Sequence, residues 1–267
     1  MSSKPVAVVT GAASGIGRDL ALELDRRGYR LAICDLDEAG VAATGEALTD
    51  AFGSAVDVRS REAVEAFAGE VTEVLGAPDL VVHNAGVNLA VKVEDMALED
   101  LDWVMQVNFW GMVYGCKAFL PSMLAAGGGM QVFISSVFGI VGVPTQSAYN
   151  ASKFAIRGFA ESLRQETEGR MNVLVVCPGG VRTNIVRNGR IHDWPTGKGR
   201  DPAAAFEKAA RLSSQEAASR IAKAIEQRDT RLVLGSDARF LDAMQRLLPG
   251  SYETATRRLM GLLDRRS

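Results

Sequence analysis

The stretch Thr10-Gly-Ala-Ala-Ser-Gly-Ile-Gly17 decides the fold of this chain. It follows an apolar run over 5–10 that is typical of a buried strand, and it leads into a segment with leucines at helical spacing. Gly11 permits a tight turn, Gly15 lets the backbone approach a diphosphate, and Gly17 lets the helix pack against the strand. The N–H groups of the helix N-terminus would hold the phosphates. The alternative is a glycine-rich turn that binds nothing.

The same pattern of a short apolar run followed by a helical segment recurs along the chain. Strands are predicted at 30–35, 53–57, 80–83, 131–135, 172–177 and 232–234, and helices at 16–27, 38–48, 61–75, 98–125 and 149–168. Because the strands are continuously apolar, they are typical of a parallel sheet covered on both faces. The sequence therefore predicts an α/β fold over 1–267: a single-domain doubly wound parallel sheet, the Rossmann fold, with helices on both faces.

The composition excludes several classes of protein. The 267 residues are 47% hydrophobic and 23% charged, and 30 basic against 32 acidic residues give a net charge of −2. A disordered chain or a basic nucleic-acid-binding surface is therefore not expected. Three widely separated cysteines and two histidines predict no disulfide framework and no metal site. Without a signal peptide or a long apolar run, we expect a cytoplasmic protein with a small-molecule substrate and no nucleic-acid or membrane partner.

A carboxylate, Asp35, ends the second predicted strand, about 20 residues after the glycines. An acid at this position accepts hydrogen bonds from the ribose 2′-hydroxyl of NAD and repels the 2′-phosphate of NADP. Asp35 therefore predicts NAD as the preferred cofactor. The alternative is an aspartate that caps the following helix.

A tyrosine and a lysine four residues apart begin a predicted helix, in the motif Tyr149-Asn-Ala-Ser-Lys153. Side chains at this spacing share one face of a helix, so the ammonium would lie near the phenol. A free phenol has a pKa of about 10, and a nearby positive charge favours its ionised form. Tyr149 is therefore a candidate for exchanging a proton with an alcohol or carbonyl oxygen.

These motifs resemble those of the short-chain dehydrogenase/reductase superfamily, whose members bind NAD(P) on a Rossmann fold. The resemblance covers about residues 5–185 and includes five motifs in the family's order. It implies an oxidoreductase that transfers a hydride between NAD(H) and a secondary alcohol or ketone, on an apolar or acyl-type skeleton. Relatives commonly form dimers and tetramers, so a homodimer or homotetramer is expected.

The resemblance also implies a catalytic tetrad, which is intact in this chain as Asn108, Ser136, Tyr149 and Lys153. Ser136 ends the fifth predicted strand thirteen residues before Tyr149 and would hydrogen-bond the substrate oxygen. Ser135 competes for this role, and the family spacing favours Ser136. Asn108 matches the helix asparagine that in relatives holds a water linking the lysine to solvent.

Cofactor contacts follow from the same resemblance. Asp57 would hold the adenine amino group, the run Asn84-Ala-Gly86 would pass beside the adenine ribose, and 178–183 would hold the nicotinamide carboxamide. His83 replaces the family's usual first asparagine, and a packed or hydrogen-bonded neutral histidine is its expected state. Ser14 stands where NADP-preferring relatives often carry a basic residue, which also favours NAD. The predicted cofactor contacts are Gly11, Ser14, Gly15, Ile16, Gly17, Asp35, Leu36, Asp57, Val58, Asn84, Ala85, Gly86, Tyr149, Lys153, Pro178, Gly179, Val181 and Thr183.

The substrate is the least readable feature of the sequence. Substrate contacts are predicted at Ser136, Phe138, Val143, Gln146, Tyr149 and Gly180. The segment 184–215 occupies the position of the family's mobile lid, and 236–267 is predicted to be a helical tail. Basic residues at the lid would suit an anionic substrate group, although a solvated surface run explains them as well: Arg182, Arg187, Arg190, Lys198 and Arg200.

Two other functions compete with the dehydrogenase. One is a catalytically weak NAD-sensing binding protein on the same fold, because fold alone does not determine function. The presence of both Tyr149 and Lys153 argues against it. The other is a Rossmann-like methyltransferase, which would share the glycine turn but would have no use for the Tyr-x-x-x-Lys pair.

Overall fold

The structure is a computed structural model, and it describes residues 4–193 and 201–254. Its strands are β1 (Val6–Thr10), β2 (Arg30–Asp35), β3 (Ala51–Ala55), β4 (Leu80–His83), β5 (Leu89–Ala90), β6 (Met130–Ile134), β7 (Asn172–Pro178), β8 (Val181–Arg182), β9 (Arg190–Ile191), β10 (Leu212–Ser213) and β11 (Arg231–Leu234). Its α-helices are α1 (Gly15–Arg26), α2 (Glu38–Gly45), α3 (Arg61–Leu75), α4 (Leu98–Met105), α5 (Gly111–Ala125), α6 (Ser147–Glu166), α7 (Pro202–Ala209), α8 (Ser214–Glu226) and α9 (Ser236–Leu247).

Seven of these strands form one parallel sheet in the spatial order β3-β2-β1-β4-β6-β7-β11. The chain first builds outward from β1 to β3 and then continues from β4 in the opposite direction. This reversal leaves a crevice at the carboxyl ends of β1 and β4, which is where ligands bind in such sheets. The predicted doubly wound α/β sheet is confirmed.

Both faces of the sheet are covered by helices, which explains why its strands are continuously apolar. Val8 and Val9 are neighbours in β1, and both are fully buried, in different hydrophobic clusters. Val9 belongs to the cluster that contains Leu20 of α1 and Ile221 of α8. Val8 belongs to the cluster that contains Phe67 of α3.

The third strand begins two residues earlier than predicted, at Ala51 rather than at residue 53. It is an edge strand in which exposed and half-buried residues alternate, so its apolar signal is weak. Ala55 pairs with Asp35, where both strands end. Asp57 was predicted to close this strand and instead lies in the turn that follows it.

The helix predicted over 98–125 is interrupted. Between α4 and α5 the residues Gln106–Trp110 form a π-helical turn. Such turns are rare and are frequent at functional sites. Asn108 lies at the centre of the turn, where its side chain bonds to groups outside the helix, and this gives a physical reason for the interruption.

The predicted loop over 184–215 contains regular structure. Strand β9 pairs with β5, β10 pairs with β8, and α7 lies between β9 and β10. The segment ends at a capping box formed by Ser213 and Glu216, which begins α8. Lys198, Arg200 and the end of the predicted tail, 255–267, lie outside the described residues.

Membrane-spanning helices, metal-binding groups and cysteines were the other features that the sequence raised. Within 4–193 and 201–254, no helix is both long and apolar enough to cross a membrane. The same ranges hold no group of three histidine, cysteine or acidic side chains that is placed to bind a metal ion. The cysteines Cys34, Cys116 and Cys177 are buried and free.

Candidate active site

The glycine turn between β1 and α1 requires glycine at two positions. Gly11 has φ +69°, a left-handed conformation, and a Cβ there would lie 2.7 Å from the Cα of Ala85. A Cβ on Gly17 would collide with the carbonyl oxygen of Gly11. The glycines therefore pack the start of α1 against the turn and the turn against the end of β4.

The N-terminus of α1 is open to a ligand. Ser14 is its N-cap residue and makes no side-chain capping bond, so the first-turn N–H groups have no partner within the helix. Gly15 faces Thr183, whose side chain would lie 3.3 Å from a Cβ at that position. Unpartnered amides at a positive helix end fit the diphosphate of a dinucleotide.

Thr10 links the glycine turn to the end of β4. Its hydroxyl oxygen accepts hydrogen bonds from the backbone N–H groups of Asn84 and Ala85, both at 3.1 Å. In return, the Asn84 side chain donates to the carbonyl oxygens of Thr10 and Gly11 at 3.0 Å. This role of Thr10 was not predicted from the sequence, although a hydroxyl at the end of an apolar strand is a visible signal.

Asp35 supports the same turn from β2. Its carboxylate accepts a hydrogen bond from the backbone N–H of Ala13 at 3.0 Å. The alternative interpretation, that Asp35 caps α2, is wrong, because Asp37 is the N-cap residue and accepts from the N–H of Gly40. The side chain of Leu36 is 67% exposed beside Asp35, where it is available to cover a flat apolar group.

Asp57 lies at the same edge of the sheet, after β3, and is held by Arg59. The guanidinium of Arg59 donates to both carboxylate oxygens of Asp57, and these hydrogen bonds lower the pKa of that carboxyl. Val58 is buried against Gly111, at the start of α5.

Tyr149 and Lys153 lie on one buried face of α6, as the sequence predicts. The Nζ atom of Lys153 lies 5.5 Å from the centre of the Tyr149 ring. Burial raises the pKa of Tyr149 to about 12, and a hydrogen bond with the Ser136 side chain acts against this rise. Burial lowers the pKa of Lys153 to about 8, and Nζ donates to the carbonyl oxygen of Ile134 at 3.1 Å.

The two competing serines have different partners. The Ser135 hydroxyl donates to the backbone carbonyl of Lys153 at 2.8 Å and is buried. Ser136 lies beside the phenol of Tyr149 and acts to lower its pKa, and its oxygen accepts from the N–H of Phe138 at 3.1 Å. Ser135 therefore fastens α6 to the end of β6, and Ser136 is the serine at the phenol.

Asn108 connects the π-helical turn to the rest of the site. Its Oδ1 atom accepts from the N–H of Val87, and its Nδ2 atom donates to the carbonyl of Val87 and to the hydroxyl of Ser152. A Cβ built on Gly86 would lie 3.2 Å from Asn108 Oδ1 and 3.4 Å from Lys153 Nζ. The structure thus brings the four residues of the predicted tetrad together with the end of β4.

Comparison with known proteins identifies the family. A family model described as short chain dehydrogenase matches residues 5–193. The chain belongs to the short-chain dehydrogenase/reductase family. It is 42% identical to a putative oxidoreductase, SadH, of Mycobacterium tuberculosis over 260 residues, which cover 93% of this chain and 92% of that protein. It is therefore an oxidoreductase that depends on a nucleotide cofactor.

Solved structures of the family carry both forms of the cofactor. A short-chain dehydrogenase/reductase from Burkholderia phymatum, in complex with NAD, is similar with a TM-score of 0.82 and 27% identity, covering 91% of this chain and 93% of that one. An alcohol dehydrogenase from Thermococcus sibiricus, complexed with 5-hydroxy-NADP, has a TM-score of 0.74 and 27% identity, covering 87% and 95%.

In this short-chain dehydrogenase, Asn150 shapes the loop between the serine and the tyrosine. Its Nδ2 atom donates to the carbonyl oxygens of Phe138 and Val141, both at 2.7 Å. Phe138 in turn meets the Tyr149 ring edge-on, with the ring centres 6.2 Å apart. This role of Asn150 was not predicted from the sequence, in which only its position next to Tyr149 marks it.

The segment that begins at the end of β7 is held on two sides. It carries the predicted contacts Pro178, Gly179, Gly180, Val181 and Thr183. The N–H of Gly179 donates to Leu234 of β11, and the N–H of Gly180 donates to the carboxylate of Asp237 in α9, both at 2.8 Å. Val181 of β8 pairs with Leu212 of β10. Asp237 was not predicted as a site residue, because it lies 57 residues after its partner in the sequence.

Three basic residues in or next to the predicted lid have partners within the protein. Arg190 pairs with Asp100, and its guanidinium lies 4.1 Å from the centre of the Trp103 ring. Arg187 lies 4.0 Å from a carboxylate oxygen of Glu207 in α7, and Arg182 donates to the carbonyl of Ala210. These contacts favour a structural role for the three arginines over an anion site.

His83 is the neutral, packed histidine that the sequence predicts. Its Nε2 atom lies 2.9 Å from Oε1 of Gln131, and its ring stacks on Phe133. Burial lowers its pKa to about 4. It therefore carries no charge at neutral pH.

Proposed function

We propose that the protein is an NAD-dependent dehydrogenase that interconverts a secondary alcohol and a ketone, acting on the CH–OH group of an apolar or acyl-type skeleton. One observation carries this proposal: the phenol of Tyr149 lies beside both the Ser136 side chain and the ammonium of Lys153. A proton donor or acceptor, a hydroxyl and a fixed positive charge are the groups that a carbonyl–alcohol interconversion needs.

The described residues fit a dinucleotide. The glycine turn and the uncapped start of α1 would hold the diphosphate, through Gly11, Ser14, Gly15, Ile16 and Gly17. Asp35 and Leu36 would meet the adenosine ribose and adenine, and the negative charge of Asp35 favours NAD over NADP. The remaining proposed contacts are Asp57, Val58, Asn84, Ala85, Gly86, Tyr149, Lys153, Pro178, Gly179, Val181 and Thr183.

When bound, NAD(H) supplies the acceptor or donor of the hydride. In the direction of oxidation, Ser136 holds the substrate oxygen and Tyr149, as phenolate, removes the hydroxyl proton. In the direction of reduction, the Tyr149 phenol returns that proton. The burial that raises the pKa of Tyr149 favours the neutral phenol, so the phenolate needs a nearby positive charge.

Lys153 supplies that charge and would also hold the nicotinamide ribose hydroxyls. Its ammonium is anchored on Ile134, which keeps it near Tyr149. Asn108 fastens Val87 and Ser152 around this group, and we propose that it takes part in the water-mediated path along which the proton leaves.

The substrate would lie against the loop between β6 and α6. Phe138 and Val143 would form an apolar wall, Gln146 would contribute a polar group, and Gly180 would border the site from the segment that follows β7. We propose that one domain carries both cofactor and substrate. Exposed Trp110 and Phe154 support a homodimer or homotetramer formed through neighbouring helices, and unbridged buried cysteines support a cytoplasmic location.

An absorbance assay at the NADH band, run with a panel of secondary alcohols and ketones, tests the proposal. We expect turnover with NAD(H) for at least one pair, and a lower kcat/KM with NADP(H). If the protein binds NADH but turns over no member of the panel, it is an NAD-sensing binding protein and the proposal fails.

A further inference from the structure

The residues 183–193, which we call the bridge segment, connect two elements at the carboxyl edge of the sheet. At one end, Thr183 would lie 3.3 Å from a Cβ on Gly15, at the start of α1. Towards the other end, Arg190 in β9 pairs with Leu89 in β5. Because α1 follows β1 and β5 follows β4, the bridge segment spans the crevice between the ends of those two strands.

Backbone contacts hold the far end of the bridge segment closely against β5. The N–H of Arg190 donates to the carbonyl of Asn88 at 3.0 Å, and the N–H of His192 donates to the carbonyl of Ala90 at 2.8 Å. Gly189 allows this close approach, because a Cβ there would lie 2.7 Å from the carbonyl oxygen of Asn88. The two segments are therefore paired directly, without side chains between their backbones at this point.

Side chains of α4 hold the same end, in a cluster that we call the clasp: Arg190, Asp100 and Trp103. The guanidinium of Arg190 is bonded to a carboxylate oxygen of Asp100 and lies 4.1 Å from the centre of the Trp103 ring. The Nε2 atom of His192 lies 3.3 Å from the other oxygen of Asp100. Because the Asp100 side chain is only 15% exposed, solvent and salt screen this ion pair less than a fully exposed one.

The bridge segment begins where the diphosphate of the cofactor would lie, beside the start of α1. We propose that Arg190 is a positioning residue, which holds the bridge segment closed over the bound cofactor through Asp100 and Trp103. NADH then leaves the crevice only after the clasp has opened, so contacts in α4 govern how fast the cofactor dissociates. The inference rests on the proposed function for the position of the cofactor, and it adds a control on cofactor exchange.

Two measurements on Arg190→Met test the proposal, one without cofactor and one with NADH. Methionine keeps an apolar stem and removes the guanidinium. In the cofactor-free protein, amide hydrogen exchange over 184–193 reports how often the backbone bonds of Arg190 and His192 open, and we expect it to be about threefold or more faster in the variant. In a stopped-flow displacement of NADH, we expect the dissociation rate constant to rise about threefold to tenfold.

Further variants locate the effect in the clasp. Asp100→Asn weakens the same ion pair from the side of α4 and should also speed NADH release. Because both substitutions act on one contact, the double variant should release NADH no more than about twofold faster than Arg190→Met alone. Arg187→Met is the matched control in the same segment. Its partner Glu207 lies 4.0 Å away and both side chains are 63% exposed, so each rate should stay within about twofold of wild type.

The outcomes separate this inference from the proposed function. If Arg190→Met leaves either hydrogen exchange or NADH release unchanged, the inference is overturned and the proposed function stands. The same holds if the effects of Arg190→Met and Asp100→Asn multiply in the double variant, since the two residues then act independently. A wild-type protein that does not bind NADH overturns the proposed function, and the inference with it.

Discussion

The ammonium of Lys153 lies 5.5 Å from the centre of the Tyr149 ring, and both side chains are buried. Burial opposes charge on each of them, since it raises the pKa of the phenol and lowers that of the amine. The pair is therefore costly to the fold, and it lies where we propose that a proton is exchanged. The free-energy cost of burying the two groups should appear in the pH dependence of the stability.

Replacing Lys153 by Met should change how stability depends on pH. The pKa of Lys153 falls from 10.5 in the unfolded chain to about 8 in the fold, so the unfolded state binds more protons between these values. The contribution of Lys153 to the free energy of unfolding should therefore rise with pH, by about 2 kcal/mol from pH 7 to pH 9.5. Tyr149 has little effect in this window, because its raised pKa removes stability only above pH 10.

The measurement is urea unfolding of wild type and Lys153→Met in the absence of cofactor, at both pH values. The difference between the two proteins isolates the lysine, because all other titrating groups are shared. A difference that does not change with pH would contradict the lowered pKa of Lys153.

Gly17→Ala should damage both the fold and the cofactor site. A Cβ there meets the Gly11 carbonyl and lies 2.5 Å from Nδ2 of Asn84, so the turn must shift. We expect a loss of about 1–3 kcal/mol in the free energy of unfolding, together with weakened NADH binding. Gly69→Ala is the matched control, because Gly69 also lies within a helix but has open space around it. It should be neutral or stabilising by up to about 1 kcal/mol.

Asp35→Asn should shift the choice of cofactor. The asparagine keeps an oxygen that can accept from Ala13 N, and it removes the charge that would repel a 2′-phosphate. We expect the ratio of kcat/KM for NAD to that for NADP to fall about tenfold or more, which corresponds to about 1.4 kcal/mol. Asp37→Asn removes the same charge two residues away and keeps the helix cap, so its ratio should match wild type. If Asp35→Asn keeps its full preference for NAD, the role of Asp35 is refuted.

Asp237→Ala should weaken cofactor binding although Asp237 lies in α9. The carboxylate fixes the N–H of Gly180 in the loop that would hold the nicotinamide. Loss of this hydrogen bond should raise the dissociation constant for NADH about threefold to tenfold. Asp237→Asn keeps an acceptor oxygen and should stay within about twofold of wild type. Fluorescence titration with NADH measures both, and an alanine variant that binds like wild type would show that the contact is dispensable.

Local patterns in the sequence predicted most of the fold and the centre of the site. The run Thr10–Gly17 and the apolar strands determine a doubly wound sheet because turn chemistry and hydrophobic periodicity act over a few residues. The spacing of Tyr149 and Lys153 predicted their shared face for the same reason. The errors arose where distant residues decide: Asn108 bonds to Val87 and interrupts the helix predicted over 98–125.

Contacts between distant residues also explain what the sequence could not show. The bond between Asp237 and Gly180, and the bonds of Asn150 to the loop that precedes it, depend on the folded chain and leave no spacing motif. In the sequence, the arginines of the segment 184–215 resembled an anion site. In the structure, the guanidinium of Arg190 lies over the ring of Trp103 and pairs with Asp100.

The central claim is that Tyr149 exchanges the proton with the substrate oxygen, and Tyr149→Phe tests it most directly. The variant and wild type are compared by kcat on the best substrate of the panel and by NADH titration, with Tyr114→Phe as a matched control. We expect kcat to fall at least about a hundredfold in Tyr149→Phe, while the loss of one polar contact weakens NADH binding by no more than about tenfold and the control stays close to wild type. A Tyr149→Phe variant that retains kcat within about twofold of wild type would contradict the account.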